Sequence, residues 1–318
     1  MSTTTKPEPR RSEGGLKTWL ILDQIARNAV MSIPVVARWR ARRGRTSAHP
    51  DNVDSAFLEC YGYSLFNTVV DHIGISALEG KRVGEIGPGD HIPSALLFLG
   101  AGAERYLCYD RFAGDIGGPF AKGIYRALVE DLRRRNPEIS CRLDQLGIDP
   151  SGFPEAYPAL VQPIFRSIET VDVDEHGNLD LLTSHNVVEH VYDVPSFAER
   201  SFQLLRPGGI AIHRVDFGPH GRWERCANPL EWLTVPDRVW AMMGSKRGIP
   251  NRRRFHEILA EFDRVGFVVE TEVRERFDVA EVEAIRDSMA PRFREMPLDS
   301  LLVKTACFYC RRQNTVPA

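Results

Sequence analysis

The sequence predicts an α/β protein built on a doubly wound, mostly parallel sheet of seven strands. Short apolar segments without in–out alternation recur along the chain, as is typical of strands buried on both faces. Helical segments alternate with them at intervals of roughly 25–40 residues, the pattern of parallel βαβ units. A glycine-rich turn, Gly87-Pro88-Gly89, follows the first apolar segment. Sheets of this class bind ligands at the carboxyl ends of their strands, so a ligand site is expected at this turn.

Seven segments are predicted as strands because they are short, apolar and bounded by turn or breaker residues. The fourth starts after the turn signal Gly177-Asn178, and the fifth follows the helix-ending segment Arg206-Pro207-Gly208-Gly209. In chain order the predicted strands are 82–86, 105–109, 163–168, 179–184, 210–215, 267–271 and 301–311.

Helices are predicted where apolar residues recur at helical spacing, as Leu128 and Leu132 do. Pro34 is expected to bend or end the first helix, and Gly266 closes the last one. In chain order the predicted helices are 16–37, 93–99, 121–135, 194–205 and 255–265. The connection 218–250 is too long for a passive loop and is predicted to be an inserted lid. A small helical subdomain that covers the sheet edge is the alternative.

The composition is that of an ordinary globular protein. The chain has 318 residues, of which 43% are hydrophobic and 26% are charged, with a formal net charge of −2. These values exclude a wholly disordered chain, a collagen-like fibre and a disulfide miniprotein. Charged residues interrupt every apolar stretch well before about 18 residues, so a membrane-spanning helix is not expected.

The six cysteines predict free thiols. Only Cys307 and Cys310 are close in sequence, and on a predicted strand residues three apart face opposite sides. They are therefore expected to form neither a bridge nor a metal site. Buried thiols of this kind are typical of a reducing compartment, and the N-terminus has no secretory pattern. A cytoplasmic location is predicted, with membrane association as a further possibility.

A basic arm precedes an acidic body. Residues 1–50 carry ten Lys or Arg and three Asp or Glu, whereas residues 51–318 carry 31 basic and 40 acidic residues. The arm is predicted to be partly disordered around the helix 16–37. Peripheral membrane contact through 16–45, nucleic-acid binding, and packing on the protein's own body or on a second subunit are the alternatives. The acidic body argues against nucleic acid, and a homo-oligomer is possible.

The charges around the glycine turn point to a particular cofactor. A dinucleotide site needs a third glycine, and Ile92 occupies that position. Glu85 and Asp90 would repel a pyrophosphate and suit a cationic ligand without phosphate, such as S-adenosylmethionine. Asp110 lies 21 residues after Gly89 at the end of the second strand, where a carboxylate can accept both ribose hydroxyls.

These features together resemble the class I S-adenosylmethionine-dependent methyltransferases, in the small-molecule (type 11/12-like) subgroup. The segment 85–89 resembles the first motif of that family, and Asp110 resembles its ribose-binding acid. The segments 179–191 and 204–209 resemble its fourth-strand region and the turn before its fifth strand. The resemblance implies a Rossmann-like methyltransferase domain over 51–318.

The resemblance also implies the cofactor contacts, residue by residue. Gly87 and Gly89 would lie against the methionine part, Glu85 would meet its ammonium, and Asp110 would hold the ribose. The remaining contacts fall near the adenosyl group and the fourth strand. They are Arg111 and Phe112 beside the adenosyl group, Ile168 and Glu169 at the adenine, and His185 and Asn186 along the cofactor.

A methyl acceptor is expected beyond the fourth and fifth strands, where a base would deprotonate a hydroxyl. The candidate catalytic residues there are His185, His190, Asp216 and His220. A metal held by Asp216, His220 and Asn186 is conceivable, but the spacing matches no ligand signature and no metal is predicted. Similar bacterial proteins suggest a sugar, a lipid-linked glycan or a natural product as acceptor. A nicotinamide-dependent oxidoreductase and a non-catalytic nucleoside-binding module are the alternatives.

Overall fold

Seven strands form one sheet in the computed structural model, which describes residues 13–33, 35–36, 53–111, 114–244 and 248–314. The order of the strands across the sheet is β3-β2-β1-β4-β5-β7-β6. Their bounds are β1 Arg82–Ile86, β2 Arg105–Tyr109, β3 Val161–Ile164, β4 Leu179–His185, β5 Leu205–Asp216, β6 Phe267–Arg276 and β7 Val303–Arg312.

Helices connect and cover these strands. Those before β4 are α1 Glu13–Met31, α2 Ser55–Leu58, α3 Ser64–Ile73, α4 Pro93–Gly100, α5 Pro119–Arg135, α6 Pro137–Gln145 and α7 Val173–His176. Those after β4 are α8 Val194–Leu204, α9 Asp237–Gly244, α10 Phe255–Arg264, α11 Val279–Glu283, α12 Pro291–Arg294 and α13 Leu298–Leu302.

The sheet is mixed. Strands β1 to β5 pair in parallel, whereas β7 pairs antiparallel with both β5 and β6. Residues 277–302 return the chain to the edge at which β6 ends, so β7 enters between β5 and β6 in the opposite direction. The prediction of a seven-stranded, doubly wound α/β sheet is confirmed, and one reversed strand is added to it.

Several predicted bounds are wrong. The third strand is 161–164 and not 163–168, because Pro163 lies within it instead of starting it. The strand is at the edge of the sheet, where a proline costs no hydrogen bond to a second neighbour. The first helix ends at Met31, before the predicted end at 37. The last strand starts at Val303, because 298–302 form α13.

Apolar residues cover both faces of the sheet. One cluster packs α4, α5 and α6 on the first face, and a second packs α8 and α10 on the other. A third cluster contains Trp223, Trp232 and Trp240, all buried. The ring of Trp240 packs against those of both Trp223 and Trp232.

Helix α1 packs against the 218–250 segment. Lys17 Nζ lies 3.0 Å from a carboxylate oxygen of Glu231, and Asn28 donates a 2.9 Å hydrogen bond to the carbonyl of Met242. The same helix exposes Leu22 and Val30. The arginine-rich segment 38–45 lies outside the described residues. No helix in the described part of the chain combines the length and apolar character needed to cross a membrane.

We expect Leu20→Ala to destabilise the fold by about 2 kcal/mol, because Leu20 is fully buried in the third cluster. Leu22→Ala is the matched control, since Leu22 is 62% exposed on the same helix and its loss should cost under about 0.5 kcal/mol. Urea unfolding of both variants measures the two effects. Equal effects would show that α1 is not packed on the body.

Candidate functional site

The glycine turn lies where the strand order reverses. Strand β1 pairs with β2 on one side and β4 on the other, and a doubly wound sheet opens a crevice at this switch point. Gly87 and Gly89 adopt φ values of 71° and 76°, a region that favours glycine. A Cβ on Gly87 would lie only 2.6 Å from Val187 Cγ2. The backbone of the glycine turn therefore closely approaches the loop that follows β4.

The structure brings Asp110 to the glycine turn. The N–H of Gly89 donates to Asp110 Oδ2 at 2.9 Å, and the N–H of Gly87 donates to the carbonyl of Tyr109 at 2.8 Å. The predicted ribose acid and the predicted methionine cradle thus meet at one edge of the sheet. A carboxylate can accept more than one hydrogen bond, because each of its two oxygens has two lone pairs.

The N-terminus of α4 is closed to a pyrophosphate. Pro93 begins the helix and has no N–H, and the N–H of Ile92 donates to the hydroxyl of Tyr125 at 3.1 Å. Ile92 is itself fully buried. Dinucleotide sites depend on free N–H groups at this helix start. The arrangement therefore disfavours a dinucleotide and agrees with the sequence argument from Ile92.

Glu85 points into the protein beneath the turn. The hydroxyl of Tyr106 donates to its carboxylate in a short hydrogen bond. Burial raises the pKa of Glu85 to about 7; the Tyr106 hydrogen bond opposes the rise and the charge of Asp110 adds to it. The predicted contact with a cofactor ammonium stays a prediction, since the side chain is buried at the base of the site.

We expect the stability of the protein to fall between about pH 5 and 7 through Glu85. The unfolded chain ionises Glu85 near its ordinary value of 4.5, whereas the folded chain ionises it near 7. The stabilising contribution of this group is thus complete below about pH 4.5 and is lost as the pH rises through 7. The Glu85→Gln variant has no carboxyl group to ionise at this position. Its free energy of unfolding should therefore rise relative to that of the parent, by up to about 3 kcal/mol, as the pH increases from about 5 to 7. Urea unfolding measures both proteins at each pH. A constant difference in the free energy of unfolding between parent and variant across this pH range would contradict the expectation.

The two residues predicted to meet the adenine lie in the loop that follows β3. Ile168 is buried in the second apolar cluster, and Glu169 accepts a hydrogen bond from the hydroxyl of Ser167. Since β3 ends at Ile164, the next residue, Phe165, stands at the carboxyl edge with half of its side chain exposed. The N–H of Asp110 donates to the carbonyl of Ile164 at 3.1 Å, so the chain enters Phe165 directly from the residue that pairs with Asp110.

Of the two contacts predicted beside the adenosyl group, Arg111 is exposed immediately after Asp110, and Phe112 lies outside the described residues. The sequence analysis does not single out Phe165, because the predicted strand 163–168 contains it, whereas the observed strand ends one residue before it.

His185 and Asn186 lie at the end of β4, as predicted. Burial and the charge of Arg214 lower the pKa of His185 to about 4, so the imidazole is neutral near pH 7. Asn186 has φ of 57°, and its N–H donates to the carbonyl of Arg214 at 2.9 Å. His213, in the middle of β5, lies 2.8 Å from the hydroxyl of Ser184 in the core, as expected of a buried structural histidine.

Three side chains converge beyond β4 and β5: Glu189, His190 and His220. The rings of His190 and His220 lie 4.9 Å apart and almost perpendicular, and His220 Nε2 is 3.7 Å from Glu189 Oε1. Burial and the charge of His220 lower the pKa of His190 to about 4. Burial also lowers the pKa of His220, which the negative charges of Asp216 and Glu224 oppose.

Of the four catalytic candidates, the structure brings His190 and His220 into contact, with Asp216 close enough for its charge to act on His220. Asp216 accepts a 2.7 Å hydrogen bond from the N–H of Gly218. Sequence reasoning missed Glu189 as a site residue. The only available signal was a carboxylate standing directly before a histidine in an otherwise apolar turn.

A polar cavity of about 360 Å³ lies beside the end of β5. Arg214 lines it from β5 and Arg274 lines it from β6. All of its lining residues are polar or charged: Glu59, Ser64, Asn67, Thr68, Asp71, Arg214 and Arg274. A volume of this size accommodates a small molecule.

No protein-family model and no curated protein matches the chain. The chain is similar to solved methyltransferase structures. Phosphoethanolamine N-methyltransferase 2 from Haemonchus contortus, solved with S-adenosyl-L-methionine, is 13% identical with a TM-score of 0.40, over 74% of this chain and 49% of that one. This chain thus spans about half the length of that enzyme.

Two further similar structures are methyltransferases. An S-adenosylmethionine-dependent methyltransferase from Mesorhizobium loti is 16% identical with a TM-score of 0.39, over 74% of this chain and 92% of that one. An O-methyltransferase family protein from Burkholderia thailandensis is 11% identical with a TM-score of 0.42, over 78% of this chain and 55% of that one. Similarities this weak do not transfer an activity, so function is inferred from the residues of the site.

Proposed function

We propose that this protein is an S-adenosylmethionine-dependent methyltransferase acting on a small-molecule hydroxyl. The observation that carries the proposal is the hydrogen bond from the N–H of Gly89 to the carboxylate of Asp110. The bond joins this carboxylate to a left-handed glycine turn at the switch point of the sheet, which supports a role for Asp110 as the ribose-binding acid. A nucleoside would bind here with its hydroxyls on Asp110.

The charges of the site support S-adenosylmethionine over a nicotinamide dinucleotide. The start of α4 offers no N–H group from Pro93, and that of Ile92 is already bonded. Asp110 and the buried Glu85 favour a ligand with a cationic end. Phe165, half-exposed beside Asp110, offers an apolar ring face for the adenine.

The acceptor is proposed to bind at the ends of β4 and β5, beside the cluster of Glu189, His190 and His220. The sulfonium is a strong leaving group, so the protein must align the acceptor and remove its proton. His185 at this edge is a neutral imidazole, because burial lowers its pKa to about 4, and it is in the protonation state that receives a proton. The polar and charged residues that line the cavity beside the end of β5 favour a hydroxylated acceptor such as a sugar over a bare lipid.

Transfer of a labelled methyl group tests the activity. The purified chain is incubated with methyl-labelled S-adenosylmethionine and a bacterial extract from which small molecules have not been removed. We expect label in the small-molecule fraction, and none above background with Asp110→Ala, which controls for methyltransferases in the extract. Cofactor binding without any label transfer would instead support the non-catalytic nucleoside-binding module.

A further inference from the structure

We propose that Glu189, His190 and His220 bind a divalent transition-metal ion. Each offers one ligand atom, and these atoms all lie within 4.8 Å of one another. This is the one such group of at least three acidic, histidine or cysteine side chains among the described residues. The sequence predicted no metal, and the set it weighed, Asp216, His220 and Asn186, shares only His220 with this cluster.

Both histidines are held in the form that binds metal ions. His190 Nδ1 lies 2.8 Å from the carbonyl of Gly248, and His220 Nδ1 lies 3.1 Å from the carbonyl of Gly218. A carbonyl only accepts hydrogen bonds, so each neutral ring carries its proton on Nδ1. Each Nε2 therefore presents a lone pair, in the same way that second-shell carbonyls orient metal-binding histidines.

Glu189 is a buried carboxylate that lacks a satisfying partner. Its side chain is 3% exposed, and neither oxygen accepts a hydrogen bond of ordinary geometry from a described residue. A buried carboxylate in this condition is stabilised by a cation.

The cluster is rigidly built. The side-chain amide of Asn251 donates to the carbonyls of Val188 and Val191 at 2.8 and 2.7 Å, and the backbone N–H of Asn251 donates to the carbonyl of Glu189 at 2.6 Å. These bonds fix the turn that carries Glu189 and His190. Pre-set ligands of this kind lose little conformational entropy when an ion binds.

The donor set selects the class of ion. Two imidazole nitrogens and one carboxylate suit Zn²⁺ or Fe²⁺, whereas Mg²⁺ and Ca²⁺ prefer oxygen ligands alone. Three protein ligands leave at least one coordination position open. An oxygen ligand, either water or an acceptor hydroxyl, would take it. Val187 joins this turn to the glycine turn through its contact with Gly87, so the ion would lie near the proposed cofactor site.

Cobalt titration of the untagged, chelator-treated full chain tests the proposal. We expect a saturable visible absorption with about one Co²⁺ per chain, which Zn²⁺ abolishes and Mg²⁺ does not. Glu189→Gln and His220→Gln should each weaken binding by roughly 100-fold. His256→Gln is the matched control, because His256 is exposed and outside the cluster, and it should leave the affinity unchanged.

Two results would overturn the metal site: no saturable cobalt signal, or unchanged affinity in Glu189→Gln with its circular dichroism spectrum intact. Metal binding does not depend on methyl transfer. The same metal-free sample is therefore titrated with S-adenosylmethionine. Cofactor binding without cobalt binding rejects the metal site alone, and cobalt binding without cofactor binding rejects the proposed function alone.

Discussion

Asp110→Ala is expected to lose S-adenosylmethionine binding, with an affinity more than about 100-fold below that of the parent. The carboxylate is placed to accept both ribose hydroxyls, and hydrogen bonds to a charged group contribute about 1.5–3 kcal/mol each. Loss of two such bonds amounts to roughly 3–6 kcal/mol. The variant also removes the acceptor for the N–H of Gly89, which loosens the turn.

Isothermal titration calorimetry of the parent and three variants measures this effect. Asp110→Asn keeps one oxygen acceptor and should fall between the parent and the alanine variant. Asp144→Ala is the matched control, because Asp144 is exposed on α6 and should bind like the parent. Binding of Asp110→Ala within a few-fold of the parent, with an unchanged melting temperature, would exclude Asp110 as the ribose acid.

Gly87→Ala is expected to destabilise the protein by about 2–5 kcal/mol and to impair cofactor binding. The residue has φ of 71°, which costs an alanine about 1–2 kcal/mol. Its new Cβ would lie 2.6 and 2.9 Å from the two Cγ atoms of Val187, and overpacking of this kind costs about 1–3 kcal/mol more. Relief of the clash would also displace the loop that carries Glu189.

Gly123→Ala provides the control for the glycine substitution. Gly123 lies within α5, and a Cβ there would meet nothing within 4 Å. This variant should be neutral or more stable by up to about 1 kcal/mol, because alanine favours the helix. The double variant Gly87→Ala/Val187→Ala should recover the packing part of the loss but not the backbone part. Urea unfolding measures the free energy of unfolding of all three variants. A loss below about 1 kcal/mol in Gly87→Ala would contradict the close approach of the Gly87 backbone to Val187.

Much of the fold was predictable because its signals are local. Strands β1, β2 and β4 stand close to the predicted segments, since each is a short apolar run that ends at a glycine or polar residue. The sequence pattern predicts the third strand too late, because a proline usually stands at the start of a strand, whereas an edge strand accepts Pro163 inside it. The reversed direction of β7 depends on how 277–302 pack, which no periodic pattern of the sequence encodes.

The site was predictable only where adjacent strand ends meet. Gly89 and Asp110 follow neighbouring parallel strands, so their convergence follows from the sheet itself. The cluster of Glu189, His190 and His220 depends on two irregular loops whose course the sequence does not specify. Burial of Glu189 was equally hidden, because a single charged residue is ordinarily expected at the surface.

Calorimetric titration of the purified chain with S-adenosylmethionine, S-adenosylhomocysteine and NAD⁺ tests the central claim most directly. We expect saturable binding of the first two at one site and no heat of binding from NAD⁺. Binding of NAD⁺, or no response to either adenosyl compound, would contradict the assignment of the Gly87–Gly89 turn and Asp110 to a methyl-donor site.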